Sequence, residues 1–439
     1  MANNRLVKEA RKLTHQTIRK LFSFLPKAGK FAIYRSFVEC NPAPNERMIL
    51  KIAETQEELE ACFALLHDAY VGSGFMKPDP SGMRVTLYHA LPTTTTLCAK
   101  YDGQVVGTLS LIRESALGFP LQKIFDLTDV RKHEGNIAEV SALAVHRRFR
   151  KTGGSILFPL MKFMYEYCTT FFDTRHLVIA VNPYHIEMYE SLLFFKRLTA
   201  NPVESYDFVN GAPAVGAWLD LKFAPEIMKK HYASKPPQRN LYAYFTQVKL
   251  PNIKLPERRY YTTNDPVLTP ELLDHFFNKR THGFANLGER EKVLLHTIYD
   301  VVEYIPVLPP LTIRSLEVNV RRHERYSMKC PGQLTLEILN DGQESIDIDV
   351  IEVSLEGFQA RALKPIPMQV SLKATVWLGK TEISHLQVEA VRDIGKGFYG
   401  FHLGQADSIW RTFVDAIYSG TTHRDLNEPN RYIADIKLA

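Results

Sequence analysis

The sequence contains few cysteines and no long uncharged stretch. Its cysteines are odd in number, far apart and without C-x-x-C spacing: Cys40, Cys62, Cys98, Cys168 and Cys330. This pattern argues against a disulfide framework and against a zinc site, so we expect no bound metal and a reducing compartment. No stretch approaches the roughly 20 uncharged residues that a membrane span needs, and the first residues lack the apolar core of a signal peptide. We therefore expect a cytoplasmic protein.

The chain is long and has an ordinary globular composition. Its 439 residues, 45% hydrophobic and 23% charged, exceed what one core usually supports, which predicts two or three domains. The net charge of +6 is uneven, because the first thirty residues hold eight lysines and arginines against the single acidic Glu9. Apolar spacing over residues 6–24 predicts a basic amphipathic helix. Residues 1–30 either make peripheral contact with anionic lipid at the inner face of the membrane or pack on the protein itself.

Strand and helix signals alternate from residue 48 to about residue 221. A strand is predicted at 48–53, and a helix at 55–70 begins with the Thr55 and Glu58 of a capping box. Asp102-Gly103 marks the turn of a hairpin. A strand at 136–145, a helix from about 155, a strand at 177–181 and a helix at 184–195 follow. This order predicts an α/β domain, which we assign to residues 48–223, after a basic N-terminal segment at 1–47.

The remainder of the chain divides into a helical annex and an all-β domain. Residues 224–318 contain proline breaks around predicted helices at 270–280 and 289–303, which indicates a linker or annex. From residue 319 the apolar period changes to two, and glycines punctuate the strands predicted at 333–339, 345–353, 369–378, 383–393 and 397–403. Together with a helix at 407–418 they predict a small barrel at 319–425, followed by a tail at 426–439.

A cationic, glycine-containing loop separates the strand at 136–145 from the next helix. The stretch HRRFRKTGGSIL at 146–157 crowds five cationic side chains into six residues and then passes through Gly-Gly-Ser. First-turn amides and the helix dipole favour anions, and glycines let the backbone approach a phosphate closely. Neither a P-loop nor a Rossmann fingerprint is present. The expected anion site comprises Arg150, Lys151, Thr152, Gly153, Gly154 and Ser155.

The pattern R-x-x-G-x-S in this loop resembles the pyrophosphate-binding loop of the GCN5-related N-acyltransferases (GNAT), with Ser155 departing from the usual glycine or alanine. Asn182, Tyr189 and Phe194 follow the next strand with the spacing of the acyltransferase Asn…Tyr…Phe segment. With Gly107-Thr-Leu-Ser-Leu and Ala138-Glu-Val-Ser, the region at about 48–221 resembles long-chain N-acyl amino acid synthases, relatives of acyl-homoserine-lactone synthases. The chain therefore resembles an α/β acyltransferase of the GNAT class.

This resemblance implies an acyl thioester donor, carried on acyl carrier protein or coenzyme A, and an amine acceptor such as an amino acid. It assigns Tyr189 as general acid, and the glycine loop and Asn182 to the donor. For the remaining steps of that chemistry, the candidates are Glu139 as general base and a backbone amide of the strand from Ser141 to Val145 as oxyanion donor. His185 is a second candidate for proton transfer. Two structural alternatives stay open: Glu139 orients a cation, and Tyr189 is a core aromatic. Arg147, Arg148 and Lys151 favour the acidic carrier protein over coenzyme A.

The predicted barrel carries a second pair of motifs. R-x-x-x-R at 321–325 and the stretch from Glu352 to Gly357 resemble the two motifs of the PilZ domain, a receptor for cyclic di-GMP, with Glu352 replacing a shorter Asp or Asn. The resemblance assigns the nucleotide to Arg321, Arg322, Arg325, Glu352, Ser354 and Gly357. A PilZ domain kept as a docking scaffold is the alternative, and the lack of interleaved aromatics disfavours nucleic acid.

Two functions follow for the whole chain. One is an N-acyltransferase regulated by cyclic di-GMP, and the other is a non-catalytic signalling adaptor that uses a degenerate acyltransferase fold.

Overall fold

The computed structural model describes residues 25–115, 117–150, 152–256, 260, 265, 268–299, 302–312, 326–338, 342–395 and 397–418. The amphipathic helix predicted at 6–24, the tail at 426–439, Lys151 and the three arginines at 321, 322 and 325 lie outside these residues. The first described helix is α1, Lys27–Ser36. In the described part of the chain, no helix is long and apolar enough to cross a membrane.

The α/β domain is built on one eight-stranded sheet in the order β1-β2-β3-β4-β5-β8-β6, with β7 paired to β8. The strands are β1 Met48–Ile52, β2 Thr94–Tyr101, β3 Gln104–Arg113, β4 Asn136–Val145, β5 Thr174–Val181, β6 Lys196–Arg197, β7 Val203–Tyr206 and β8 Ala212–Asp220. All pairings are antiparallel except that of β4 with β5. The predicted hairpin turn is present, and Asp102 and Gly103 both have positive φ, as a type I′ turn requires.

Helices cover both faces of this sheet. They are α2 Gln56–Gly72, α3 Thr128–Arg131, α4 Leu157–Phe171 and α5 Pro183–Leu192. Neighbouring strand residues belong to different buried clusters: Leu97 packs with α4 and α5, whereas Cys98 packs with α2. This alternation follows from the two-residue period of a strand, so each face has its own core. Thr55 caps α2 by accepting a hydrogen bond from the amide of Glu58.

The two parallel strands at the centre of the sheet diverge. β4 and β5 pair only from Asn136 to Glu139 on β4, which faces Val178 on β5. β4 also bulges against β3, because Ser110 pairs with Ser141 and Thr108 pairs with Ala144, so that two β4 residues face Leu109. Ala142, inside the bulge, has a φ of 53°, a backbone conformation that is uncommon for alanine. Beyond Glu139 the sheet therefore opens into a gap.

The annex packs against both faces of the sheet. Its helices are α6 Ala224–Tyr232, α7 Leu241–Thr246, α8 Pro270–Leu273, which continues as a π-helical turn at Asp274–Arg280, and α9 Glu289–Ile298. Met228 and Leu241 join the core beside α4, whereas Phe276 and Leu295 join the core beside α2. The second helix predicted in the annex, at 289–303, is shorter in the structure, because α9 ends at Ile298.

The C-terminal strands form a closed six-stranded barrel in the order β10-β11-β14-β13-β12-β9. They are β9 Tyr326–Ile338, β10 Gly342–Ser354, β11 Gly357–Ala362, β12 Ser371–Trp377, β13 Ile383–Gly395 and β14 Phe398–Gln405, and α10 Ser408–Tyr418 follows. The sequence did not predict β11, which is short and carries Gln359 and Arg361. Trp410 and Phe413 of α10 are buried in the barrel core.

Candidate active site

A cavity of about 770 Å³ extends from the gap between β4 and β5 along α4. Most of the predicted acyl-transfer residues line it: Glu139, Ser141, Arg150, Gly153, Gly154, Asn182, His185 and Tyr189. Thr152 and Ser155 of the loop are not part of its lining. The volume lies within the range of about 300–1,000 Å³ that is typical of small-molecule sites.

Glu139 is the buried carboxylate of this cavity, with an exposed fraction of 2%. Its Oε2 accepts a hydrogen bond of 3.0 Å from the amide of Leu121, which fixes its orientation. Burial raises the pKa of Glu139 to about 8, while the hydrogen bonds from Leu121 and Ser141 oppose the shift. A carboxyl group with a pKa near neutrality can exchange a proton with a substrate.

Three tyrosines from separate elements lie within electrostatic reach of Glu139, and no sequence motif marked them. The pKa values of Tyr70, Tyr88 and Tyr206 are all raised, mainly by burial and further by the charge of Glu139. Tyr206 is 3% exposed and lines the cavity, and its hydroxyl has no hydrogen-bond partner among the described residues. The guanidinium of Arg84 lies 4.3 Å from the centroid of the Tyr70 ring. The surroundings of Glu139 are therefore polar as well as buried.

The bulged part of β4 forms part of the cavity lining. Residues 140–145 all line it, opposite Val181 of β5. Pairing with β5 ends at Glu139, so the amides beyond that residue do not bond to β5. This geometry is suited to a backbone oxyanion donor in the segment that the sequence predicted, beginning at Ser141.

Tyr189 lies on α5 and is 8% exposed. Its ring packs edge-on against Phe195, with centroids 5.8 Å apart, and it lines the cavity. Burial raises its pKa to about 12, and the phenol therefore keeps its proton at neutral pH. Tyr189 thus has both features at once: it is part of the core, and it presents a protonated phenol to the cavity.

The glycine loop has a conformation that only glycine adopts easily. Gly153 and Gly154 have φ values of +63° and +90°. A Cβ at Gly154 would lie 2.6 Å from ring carbons of Phe158, and a Cβ at Gly153 would lie 2.8 Å from Oε2 of Glu39. The Ser155 amide donates to the Thr152 carbonyl at 3.2 Å, so this donor is used within the loop. Arg150 is tied to the end of β4 by a 2.8 Å hydrogen bond from its Nε to the carbonyl of Val145.

Asn182 has a clear local role at the start of α5. Its Oδ1 accepts a hydrogen bond of 3.0 Å from the amide of Tyr184, and Pro183 occupies the first helical position. The predicted donor-binding residue is therefore the N-cap of α5, the helix that carries Tyr189. His185 lies one turn along the helix, exposed at the cavity mouth.

The motif residues of the barrel that the structure describes meet at the turn between β10 and β11. The hydroxyl of Ser354 donates to the carbonyl of Gly357 at 3.0 Å. A Cβ at Gly357 would lie 2.2 Å from the carbonyl oxygen of Phe401, so close strand packing requires glycine there. Glu352 is half-buried beside a bulge in β10. The structure thus accounts for the serine and the glycine by packing, and the arginines lie outside the described residues.

A splayed mixed sheet with a glycine loop at the start of α4 defines an α/β domain with one central cavity. The family model described as the N-acyl amino acid synthase FeeM matches residues 61–220. The match runs from α2 to the end of β8, so it contains β4, β5, the loop and Tyr189 but neither the annex nor the barrel. By this match the α/β domain is similar in sequence to N-acyltransferases.

Comparison with solved structures gave several similar chains. FeeM, an N-acyl amino acid synthase from uncultured soil microbes, is 25% identical over 41% of this chain and 94% of that chain, with a TM-score of 0.35. BjaI, a coenzyme A-dependent acyl-homoserine lactone synthase, is 18% identical over 47% of this chain and 92% of that chain, with a TM-score of 0.35. An acyl-CoA N-acyltransferase from Pseudomonas aeruginosa is 17% identical over 39% and 97%, with a TM-score of 0.26. Comparison with curated proteins gave no match.

Proposed function

We propose that the α/β domain is an N-acyltransferase that moves a fatty acyl group from an acyl thioester to the amine of an amino acid. The observation that carries the proposal is that Glu139, Tyr189 and the glycine loop, which are far apart in sequence, line one cavity. The match to the N-acyl amino acid synthase model over residues 61–220 supports the same chemistry.

The proposed reaction is direct transfer without an acyl-enzyme. The amine nitrogen attacks the thioester carbonyl, and Glu139 takes the proton that the nitrogen loses. Backbone amides of the bulge beyond Ser141 stabilise the negative charge that develops on the carbonyl oxygen. The carbon–sulfur bond then breaks, and Tyr189 donates its proton to the departing thiolate. Proton exchange with solvent restores both residues, and the products are an amide and a free thiol.

The acyl donor has an anionic phosphate at one end and an apolar chain at the other, and the cavity has both cationic and apolar lining residues. Gly153, Gly154 and Arg150 would hold the phosphate of the phosphopantetheine arm. Arg147 and Arg148 are exposed beside the loop and favour acyl carrier protein, which is acidic, over coenzyme A. Phe158 and Met164 line the cavity and would contact the acyl chain, whereas Phe163 and Phe194, which would also suit a fatty chain by residue type, do not line it.

The test is product formation. The full chain is incubated with acyl carrier protein or coenzyme A carrying a fatty acyl group and with a mixture of amino acids, and N-acyl products are measured by mass spectrometry. We expect products from the wild type and a loss of at least a hundredfold for Glu139→Gln, because a positioned base contributes about 10²–10⁴-fold. Glu46→Gln, which changes an exposed carboxylate, is the matched control. Absence of product with both donors would favour the adaptor function instead.

We further propose that the barrel is a PilZ domain that binds cyclic di-GMP and regulates the transferase. The closed six-stranded barrel and the resemblance of its two motifs to those of PilZ domains support this assignment. Calorimetric titration of the full chain with cyclic di-GMP is the test, with Arg321→Ala/Arg325→Ala as the variant. Binding of equal strength in both proteins would refute the assigned pocket.

A further inference from the structure

The chemical character of the cavity lining changes along α4. The glycine loop and Arg150 lie at one end, next to the start of α4. From there Leu157, Phe158, Met161, Met164 and Tyr165 line it along one stripe of α4. Leu157 and Tyr165 are eight residues apart, which is roughly 12 Å along the helix axis. The lining thus changes from cationic and glycine-rich to apolar over two turns of α4.

The annex supplies the far end of this cavity. Ala224, Met228 and Phe245 all line it, although they lie beyond the segment that matches the synthase family model. The Phe245 ring packs edge-on against that of Tyr165, with centroids 6.0 Å apart, which places Phe245 at the end opposite the loop. Leu177 and its cross-strand partner Leu219 line the same region.

Phe245 and Met228 are held firmly where they are. Phe245 is 8% exposed and Met228 is 6% exposed. The buried ammonium group of Lys162, on α4, donates to the backbone carbonyl of Phe245 at 3.3 Å and also pairs with Glu166 at 2.7 Å. On α6, the phenol of Tyr232 donates to the carbonyl of Leu192, which ties the annex to α5. The end of the cavity is therefore a fixed surface whose two large side chains define the available length.

We propose that Phe245 and Met228 of the annex form the end wall of the acyl-chain site and set the longest chain that the enzyme accepts. This inference rests on the proposed acyl transfer, since it assigns the apolar end of that cavity to the acyl tail. In this assignment the phosphate and the polar arm lie at the glycine-loop end of the cavity, and the acyl tail lies beside α6 and α7. Each methylene that is buried adds about fourfold to affinity until the chain meets the wall.

Binding of alkyl thioethers tests the wall without requiring turnover. S-alkyl coenzyme A thioethers from eight to about eighteen carbons, and the same alkyl series on acyl carrier protein, are titrated calorimetrically into the full chain. For the wild type we expect affinity to rise with length and then to fall sharply. Phe245→Ala should shift this limit to longer chains, and Met228→Trp should shift it to shorter ones. Phe245→Leu, a smaller change, serves if the alanine variant is unstable.

The control and the refuting outcomes are separate from those of acyl transfer. Tyr242→Ala removes an aromatic ring from the same helix, at a position that does not line the cavity, and should leave the limit unchanged. Three outcomes refute the proposed end wall. They are an unchanged chain-length limit in both Phe245 variants and in Met228→Trp, a uniform loss of affinity at every chain length, and no binding of either thioether series. If the chain-length limit shifts as expected but the protein forms no N-acyl product, acyl transfer is refuted and the proposed end wall is supported.

Discussion

The amide of Leu121 donates a hydrogen bond of 3.0 Å to Oε2 of Glu139, eighteen residues further along the chain. This bond lowers the pKa of the carboxyl group, yet burial dominates and the pKa rises to about 8. The hydrogen bond keeps the carboxylate in one orientation, and burial keeps it a stronger base than an exposed glutamate. Both properties are useful for taking a proton from an amine.

The first prediction concerns pH. If Glu139 is the base, kcat/KM should rise about tenfold per pH unit below its pKa and level off above pH 8. Tyr189, with its pKa near 12, stays protonated throughout this range. The measurement uses an acceptor whose amine is already neutral at pH 6, so that substrate ionisation does not contribute. A flat profile would contradict the assignment of Glu139.

The second prediction concerns stability. The pKa of Glu139 is higher in the folded state than its ordinary value of 4.5, so the folded state holds the proton more tightly than the unfolded state does. This contribution to stability is fully present below pH 4.5 and is lost as pH rises to about 8. Relative to Glu139→Gln, the wild type should therefore lose up to about 1.4 kcal/mol per pH unit in that window. Urea unfolding at pH 5, 6.5 and 8 measures the difference, and parallel curves would contradict it.

The third prediction separates the two roles of Tyr189. Tyr189→Phe keeps the ring that packs on Phe195 and removes only the proton donor. We expect kcat to fall by about 10²–10⁴-fold while KM and the melting temperature change little. A donor with an aromatic thiol as leaving group needs no proton and should restore most of the rate. Full activity of the variant with an ordinary thioester would show that the tyrosine is only a core aromatic.

Features encoded by neighbouring residues could be predicted from the sequence. The Asp102-Gly103 turn and the cap at Thr55 depend on residues at most a few positions apart, so their patterns are visible in one short stretch. The bulge at Ala142 had no such pattern, because alanine seldom adopts a positive φ and nothing local marks it.

Features built by tertiary packing could not be predicted. Tyr206 interacts electrostatically with Glu139 from β7, which lies far along the chain from β4. Phe245 reaches the cavity from a region whose prolines suggested a linker. In each case burial decides the role of the residue, and burial depends on contacts between segments that are far apart in sequence. The candidate base and acid were found because a family resemblance marked them, whereas their surroundings required the structure.

The fourth prediction concerns the donor loop. Oε2 of Glu39 lies 2.8 Å from the position of a Cβ at Gly153, so a carboxylate stands beside the proposed phosphate site. Glu39→Gln removes this negative charge and should lower KM for an acyl-CoA donor several-fold at low ionic strength. The effect should shrink as salt is added, because exposed charges are screened. Glu46→Gln carries the same change in net charge at another exposed position and should alter KM much less.

The last prediction concerns how the annex is held on the sheet. Asp265 accepts hydrogen bonds from Arg113 of β3 at 3.1 Å and from the phenol of Tyr167 of α4 at 2.6 Å. The Arg113 and Asp265 side chains are only 7% and 10% exposed, so Asp265→Ala breaks a buried ion pair by removing one of its two charges. Asp265→Ala should therefore lower the free energy of unfolding by about 3–5 kcal/mol.

The control for Asp265 is a shorter but exposed ion pair. Asp129 lies 2.6 Å from Lys132, and its side chain is 91% exposed. Asp129→Ala should cost far less stability than Asp265→Ala, because water and salt screen the exposed pair. Equal losses in the two variants would show that Asp265 does not anchor the annex. The proposed end wall depends on the placement of α6 and α7, so Asp265→Ala also tests whether Asp265 contributes to that placement. If the chain-length limit of the variant is unchanged, the hydrogen bonds of Lys162 and Tyr232 are sufficient to hold the wall.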